Sequence, residues 1–277
     1  MSKSACKTGI LLAAFGSSSV LGEKALGHFA QRVRQVFPGF PVRWAYTSGR
    51  MRSRLAAAGK KTDSVKKALC RMGFERYSHV AVQSLHLIPG VEYQALMEET
   101  EAAGAGGGPG RISVGSPLLH DEKDVDLAAE ALLAHLPAER RRDEPVVCVG
   151  HGTWHSGAAS YAALSARLAG ADPLIFIGTL SGEHSIDALL PAVSQSLRAR
   201  QLTGDGPRKV WLLPLLSIIG KHAEQDMAGA GALSWRGRFE AAGFRCCPVL
   251  TGTVEYEAFA AIWLAHLGEA LEKLRDS

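Results

Sequence analysis

The sequence predicts an α/β protein of two domains, each with a four-stranded parallel sheet flanked by helices, and three observations lead there. Short apolar runs bounded by Gly, Pro or polar residues recur along the 277 residues, segments of helical periodicity separate them, and the eight candidate strands fall into two sets of four. A chain of this length stands where single cores stop growing, roughly 250 to 300 residues, so a division into two is expected. In the first set the strands are expected at 9–15 (GILLAAF), 41–46 (PVRWAY), 79–85 (HVAVQSL) and 111–115 (RISVG). In the second they are expected at 145–150 (PVVCVG), 173–178 (PLIFIG), 209–216 (KVWLLPLL) and 247–252 (CPVLTG). Amphipathic stretches at 21–36, 62–72, 93–102, 123–135, 157–169, 186–200, 235–242 and 256–274 supply the helices.

The run ERRRDE at 139–144 contains no apolar residue and separates the two sets, which predicts domains at 1–139 and 140–277. The glycine tract at 104–110 and the stretch QLTGDGPR at 201–208 read as surface loops. The two halves correspond faintly: GILLAAFGSSS matches VVCVGHGTWHS in pattern, and 80–93 matches 210–227, as duplication with a cleft between the halves would produce.

Composition narrows the function. With 47% hydrophobic and 21% charged residues the chain is not a disordered one. A net charge of +4 from 31 basic and 27 acidic residues lacks the concentrated basic footprint of a nucleic-acid binder, while acidic small molecules remain suitable ligands. No apolar run reaches the roughly 20 residues of a membrane span, and the first residues lead directly into a strand, so a soluble, cytoplasmic protein with no membrane partner is expected. The five cysteines (Cys6, Cys70, Cys148, Cys246, Cys247) include no CxxC pair and read as buried or incidental thiols.

Ligands of open parallel sheets collect beyond the carboxyl ends of the strands. In the second set, three successive strand ends deliver His151, Gly152, Thr153 and His155; then Thr179, Ser181, Glu183 and His184; then Lys221, His222, Glu224 and Asp226. Imidazoles bind divalent transition metals and accept protons near neutral pH, so His151 and His222 are candidates for either task; the alternative is that each caps a helix or satisfies a loop. In the first set His86 ends the third strand, and Glu92 suits a helix N-terminus. Gly16 and Ser17–Ser19 could face an anion, but the segment has neither Walker A nor GxGxxG spacing, which argues against a nucleotide cofactor. Arg43, Arg50, Arg52 and Arg54 are placed to meet ligand carboxylates or to line a solvated helix face. His28, His120, His135 and His266 have no convergent partner in the pattern and read as structural.

Taken together, FGSSS, YTSGRMRSRL (46–55), HVAVQSLHLIPGVEY (79–93), GSPLL (115–119), VGHGTWHSGAASYAAL (149–164), LPLLSIIGKHAEQDMAG (213–229) and SWRGRFEAAGF (234–244) resemble the anaerobic sirohydrochlorin cobaltochelatases of cobalamin biosynthesis, the CbiK type of class II chelatase. The resemblance runs in order along nearly the whole chain. It implies a chelatase-like fold of two Rossmann-like domains and insertion of Co²⁺, or Fe²⁺, into a tetrapyrrole substrate without ATP. Carried over by motif, His151 and His222 fall on metal-binding histidines and His86 on a histidine of the same cleft; Ser17 and Arg54 are taken as further substrate-binding residues. The family's glutamate after the sixth strand is replaced by Ser181, which makes Glu183, two residues on, the candidate carboxylate beside the catalytic His151. GTVE does occur at 252–255, but after the last strand. The loss of that glutamate keeps a rival reading open, a non-catalytic tetrapyrrole or metal carrier. Self-association into a homo-oligomer is compatible with the sequence and not specified by it.

Overall fold

The computed structural model describes residues 7–154, 157–200 and 208–275. Its strands are β1 (Thr8–Ala14), β2 (Val42–Tyr46), β3 (His79–Ser84), β4 (Arg111–Gly115), β5 (Val146–Gly150), β6 (Ile175–Thr179), β7 (Arg208–Leu215) and β8 (Phe244–Pro248). The helices are α1 (Val20–Val36), α2 (Gly49–Ala57), α3 (Val65–Phe74), α4 (Val91–Gly104), α5 (Glu122–Ala134), α6 (Ala158–Ala171), α7 (Ile186–Ala199), α8 (Trp235–Ala241) and α9 (Glu257–Lys273). Two parallel sheets result, in the orders β2-β1-β3-β4 and β6-β5-β7-β8, so both halves share one topology. No described helix is long and apolar enough to cross a membrane.

The first sheet is covered on both faces, which explains its near-continuous apolar runs. Leu11, Ala13, Val80 and Val82 pack with Val65, Leu69 and Met72 of α3 and Leu96 and Ala103 of α4. Leu26, Phe29 and Val33 of α1 are also buried, and Phe29 meets Trp263 of α9 edge to face, with ring centroids 6.1 Å apart. In the second sheet Val147, Val149, Val210 and Leu212 pack with Leu189 and Val193 of α7 and Trp235 and Phe239 of α8. Helix starts follow capping chemistry: Ser19, Ser48, Ser64, Asp121 and Ser234 each accept a first-turn amide hydrogen with the side chain.

Two expectations are corrected, and one helix was not foreseen. The eighth strand lies at Phe244–Pro248, where Arg208 pairs with Phe244 and Leu212 with Pro248, rather than at 247–252. Helix α2 has no apolar stripe to announce it, since only Leu55 is buried. The division of the chain is also different: one compact unit comprises the chain up to His120 together with the stretch from Phe259, and the other is Asp121–Ala258. The expected boundary at 139/140 therefore falls inside the second unit. Two residues of the charged run are drawn inward: Arg140 pairs with Asp172 at 2.7 Å and donates to the Glu144 carbonyl, and buried Glu144 accepts through Oε2 from Trp211 Nε1 at 2.7 Å, while Glu139, Arg141 and Arg142 stay exposed. Charge without apolar residues looked like a linker because the partners lie far away in sequence. The glycine tract at 104–110 is a largely exposed turn between α4 and β4. Of the other expected loop, 201–207 lies outside the described residues and Arg208 opens β7.

Candidate functional site

β5 and β7 are neighbouring parallel strands with Gly150 opposite Leu215, so the segments that follow them leave the sheet side by side. His151 follows β5 directly and is exposed. Beyond β7, buried Ile219 anchors the chain before a turn of π-helix at His222–Met227. This brings the two imidazoles together, with ring centroids 5.0 Å apart and planes at 85°. Asp226 Oδ2 accepts from His222 Nδ1 at 2.6 Å, across one turn of the π-helix. His151 Nδ1 faces the Gly152 carbonyl oxygen at 3.3 Å.

The backbone around His151 is fixed by the loop after β6. Ser181 donates both its amide and its hydroxyl to the His151 carbonyl, each at 3.0 Å, and Leu180 donates its amide to the Gly150 carbonyl. The two loops run so close that a Cβ on Gly152 would stand 1.8 Å from the Ser181 carbonyl oxygen, and one on Gly182 2.8 Å from that of Thr153. Both glycines also have positive φ, 79° and 99°. Gly152 of GHG and Gly182 of SGE are thus demanded by close approach and by backbone conformation together.

Glu183 is exposed and lines a cavity of about 150 Å³ with His184, Gly152, Thr153, Thr179, Tyr161 and alanines of α6. It is on the loop that pins His151, but it is not hydrogen-bonded to the histidine pair as Asp226 is. His155 lies outside the described residues. Among the described residues no three His, Cys, Asp or Glu side chains converge as a metal cluster, so the pair stands as two imidazoles with one carboxylate behind. Cys148, one strand residue from the rim, is buried and its thiol is pushed up to about 12, far from a thiolate ligand.

In the first unit His86 is held between two hydroxyls, Nδ1 2.9 Å from Ser84 Oγ and Nε2 3.2 Å from Thr47 Oγ1. Burial lowers its pKa to about 4, against a smaller opposing pull from Glu92, so the ring is neutral near pH 7. Ser17 departs from expectation: it is 3% exposed, and its hydroxyl faces Ser19 Oγ at 3.2 Å and accepts the Ser19 amide at 3.1 Å. Its hydroxyl oxygen is engaged within the turn before α1. The arginines divide. Arg43 is bound to Glu75 and Arg52 to the Tyr46 and Thr47 carbonyls, whereas Arg50 and Arg54 are exposed on α2. Asp226 is the residue whose role the sequence reading missed; its signal was the i, i+4 spacing from His222.

This architecture is of the chelatase type. SirB from Bacillus subtilis, solved with Fe³⁺, matches the fold with a TM-score of 0.65 over 98% of both chains, at 15% identity. The chain belongs to the CbiK cobalt chelatase family, whose model matches residues 8–272. It is 53% identical over 270 residues, 98% of this chain and 93% of the relative, to the sirohydrochlorin cobaltochelatase CbiKC of Nitratidesulfovibrio vulgaris Hildenborough. It is 34% identical over 82% of each chain to the sirohydrochlorin cobaltochelatase of Salmonella typhimurium.

Proposed function

We propose that the protein inserts Co²⁺ into sirohydrochlorin without a nucleotide cofactor, and that His151 and His222 hold the incoming ion. The observation that carries this is the meeting of the two imidazoles at neighbouring strand ends. Nitrogen donors suit Co²⁺, and a bound imidazole replaces a water that the ion must shed before the macrocycle can take it. As the dication enters, two pyrrole N–H protons leave, so the charge of the substrate is unchanged and no electron moves; a base is needed and a redox cofactor is not. Glu183 is one proposed acceptor, and His151 is the other once its Nε2 has given up the ion to the ring. Imidazole ligands accommodate Fe²⁺ as well, so an iron-inserting activity on the same substrate is the neighbouring reading. Exposed Arg54 and the neutral ring of His86 are proposed to meet the tetrapyrrole, the arginine through a carboxylate of its rim.

Ser181 in the place of the family's glutamate favours one rival, a carrier that binds metal and ring without turnover. Sirohydrochlorin and Co²⁺ in excess over the protein, followed by absorbance without ATP, separate the two. Many equivalents of metallated product per protein, formed faster than in buffer, are expected. A single equivalent followed by the buffer rate would establish the carrier. Running Fe²⁺ in parallel assigns the metal.

A further inference from the structure

We infer that Asp226 is a positioning residue that fixes the tautomer of His222 and so decides which ring nitrogen meets the metal. The inference rests on the reading of His222 as a metal-holding residue. A carboxylate can only accept, so the 2.6 Å contact with Nδ1 requires the proton to sit on Nδ1. Nε2 is then left with its lone pair. In a free side chain the neutral imidazole favours the opposite form, with the proton on Nε2, which would blunt that nitrogen as a ligand and as a base. His151 is arranged alike: its Nδ1 faces the Gly152 carbonyl, another acceptor, at 3.3 Å. Two imidazoles 5.0 Å apart therefore each offer Nε2, one set by a backbone carbonyl and one by a carboxylate.

The π-helical turn supports this assignment. It carries Asp226 on the same short segment as His222, with Ala223 and Met227 buried beneath, and the Ala228 amide closes it on the Ala223 carbonyl at 3.0 Å. Turns of this rare kind are found mostly at functional sites. Asp226 also places a carboxylate behind the ring, on the side away from the nitrogen that would meet a cation. In a site where Ser181 stands in place of a carboxylate and turns its hydroxyl to the His151 carbonyl, that charge comes from behind the imidazole.

The test uses ¹⁵N-labelled whole protein in alkaline buffer, without tetrapyrrole. Long-range ¹H–¹⁵N spectra are expected to show His222 protonated at Nδ1 in the wild type and mainly at Nε2 in Asp226→Ala, with the other histidine signals unmoved. Titration with Co²⁺ alone is expected to show affinity weakened about 10- to 100-fold in Asp226→Ala, with part of the loss recovered in Asp226→Glu. Retention of Nδ1–H in Asp226→Ala, or an unchanged Co²⁺ affinity, overturns the inference. If Asp226→Ala fails to fold, Asp226→Leu gives the same reading: its side chain offers Nδ1 no acceptor, so Nε2–H and weaker binding are expected, and wild-type behaviour overturns the inference. Because neither readout involves sirohydrochlorin, a tautomer switch together with absent chelation would leave the role of Asp226 standing and remove the proposed function.

Discussion

A histidine at a strand end serves a loop as readily as a ligand, and for His151 the observation that supports the proposed ligand role is the ring of His222 5.0 Å away. His151→Ala and His222→Ala are each expected to lower kcat for Co²⁺ insertion by about 10²- to 10⁴-fold, the range for loss of an acid–base or ligating group, with circular dichroism and unfolding midpoint unchanged because both side chains lie at the surface. Glu183→Gln is expected to lower kcat at least tenfold without weakening Co²⁺ binding, whereas Ser181→Ala should keep activity within about threefold. A fully active Glu183→Gln would show that the histidines need no second base. For His86, the folded pKa of about 4 lies below the unfolded value near 6.5, so the unfolded chain binds the extra proton between them. Its contribution to stability is present above pH 6.5 and is lost as pH falls through that window toward 4. Urea midpoints between pH 4 and 8 should fall less steeply on the acid side in His86→Gln. At this scale the strand-end positions pointed to His151 and His222, which the fold brings within 5.0 Å of each other. The use of Ser17's oxygen inside its own turn was not legible, because it depends on the backbone bringing the Ser19 amide back to that oxygen and not on residue type.

Strands were the more legible elements, since a buried parallel strand writes a continuous apolar run and eight such runs were visible. Helix α2 was invisible for the converse reason: GRMRSRLAA buries only Leu55 and is held by the Ser48 cap and by Arg52 reaching back to the β2 end. The eighth strand slipped because β8 carries Phe244, Arg245 and two cysteines, while the more apolar-looking 249–250 lies past its end. The segment at 139–144 shows how a polar run can misdirect. Arg140 has a side chain only 6% exposed and is paired with Asp172. Arg140→Ala leaves that aspartate and the Glu144 carbonyl short of a donor, and an unfolding free energy lower by about 3–5 kcal/mol is expected in chemical denaturation. A loss below about 1 kcal/mol would return the segment to the status of a linker.

Over the whole molecule, the order of motifs along the chain was enough to indicate the family, and periodicity was enough to indicate two repeated sheets. It could not indicate which sheet receives the last helix. Amphipathicity says that α9 has an apolar face; only the structure shows Trp263 against Phe29 and His266 Nδ1 donating to the Ser116 carbonyl in the first unit. Trp263→Ala is expected to cost about 3–5 kcal/mol, as large core truncations do. Hydrogen exchange should show that loss in α1 and β1 before β5 and β7, and equal loss in both sheets would contradict the division of units given above.

The central claim is that the His151–His222 pair carries catalysed cobalt insertion. Its most direct measurement is the initial rate of Co²⁺ incorporation into sirohydrochlorin, without ATP and at substoichiometric protein, for the wild type, the His151→Ala/His222→Ala double variant and buffer alone. Multiple turnovers by the wild type, with the double variant at the buffer rate, are the predicted result. A double variant as fast as the wild type, or a wild type no faster than buffer with either metal, would contradict it.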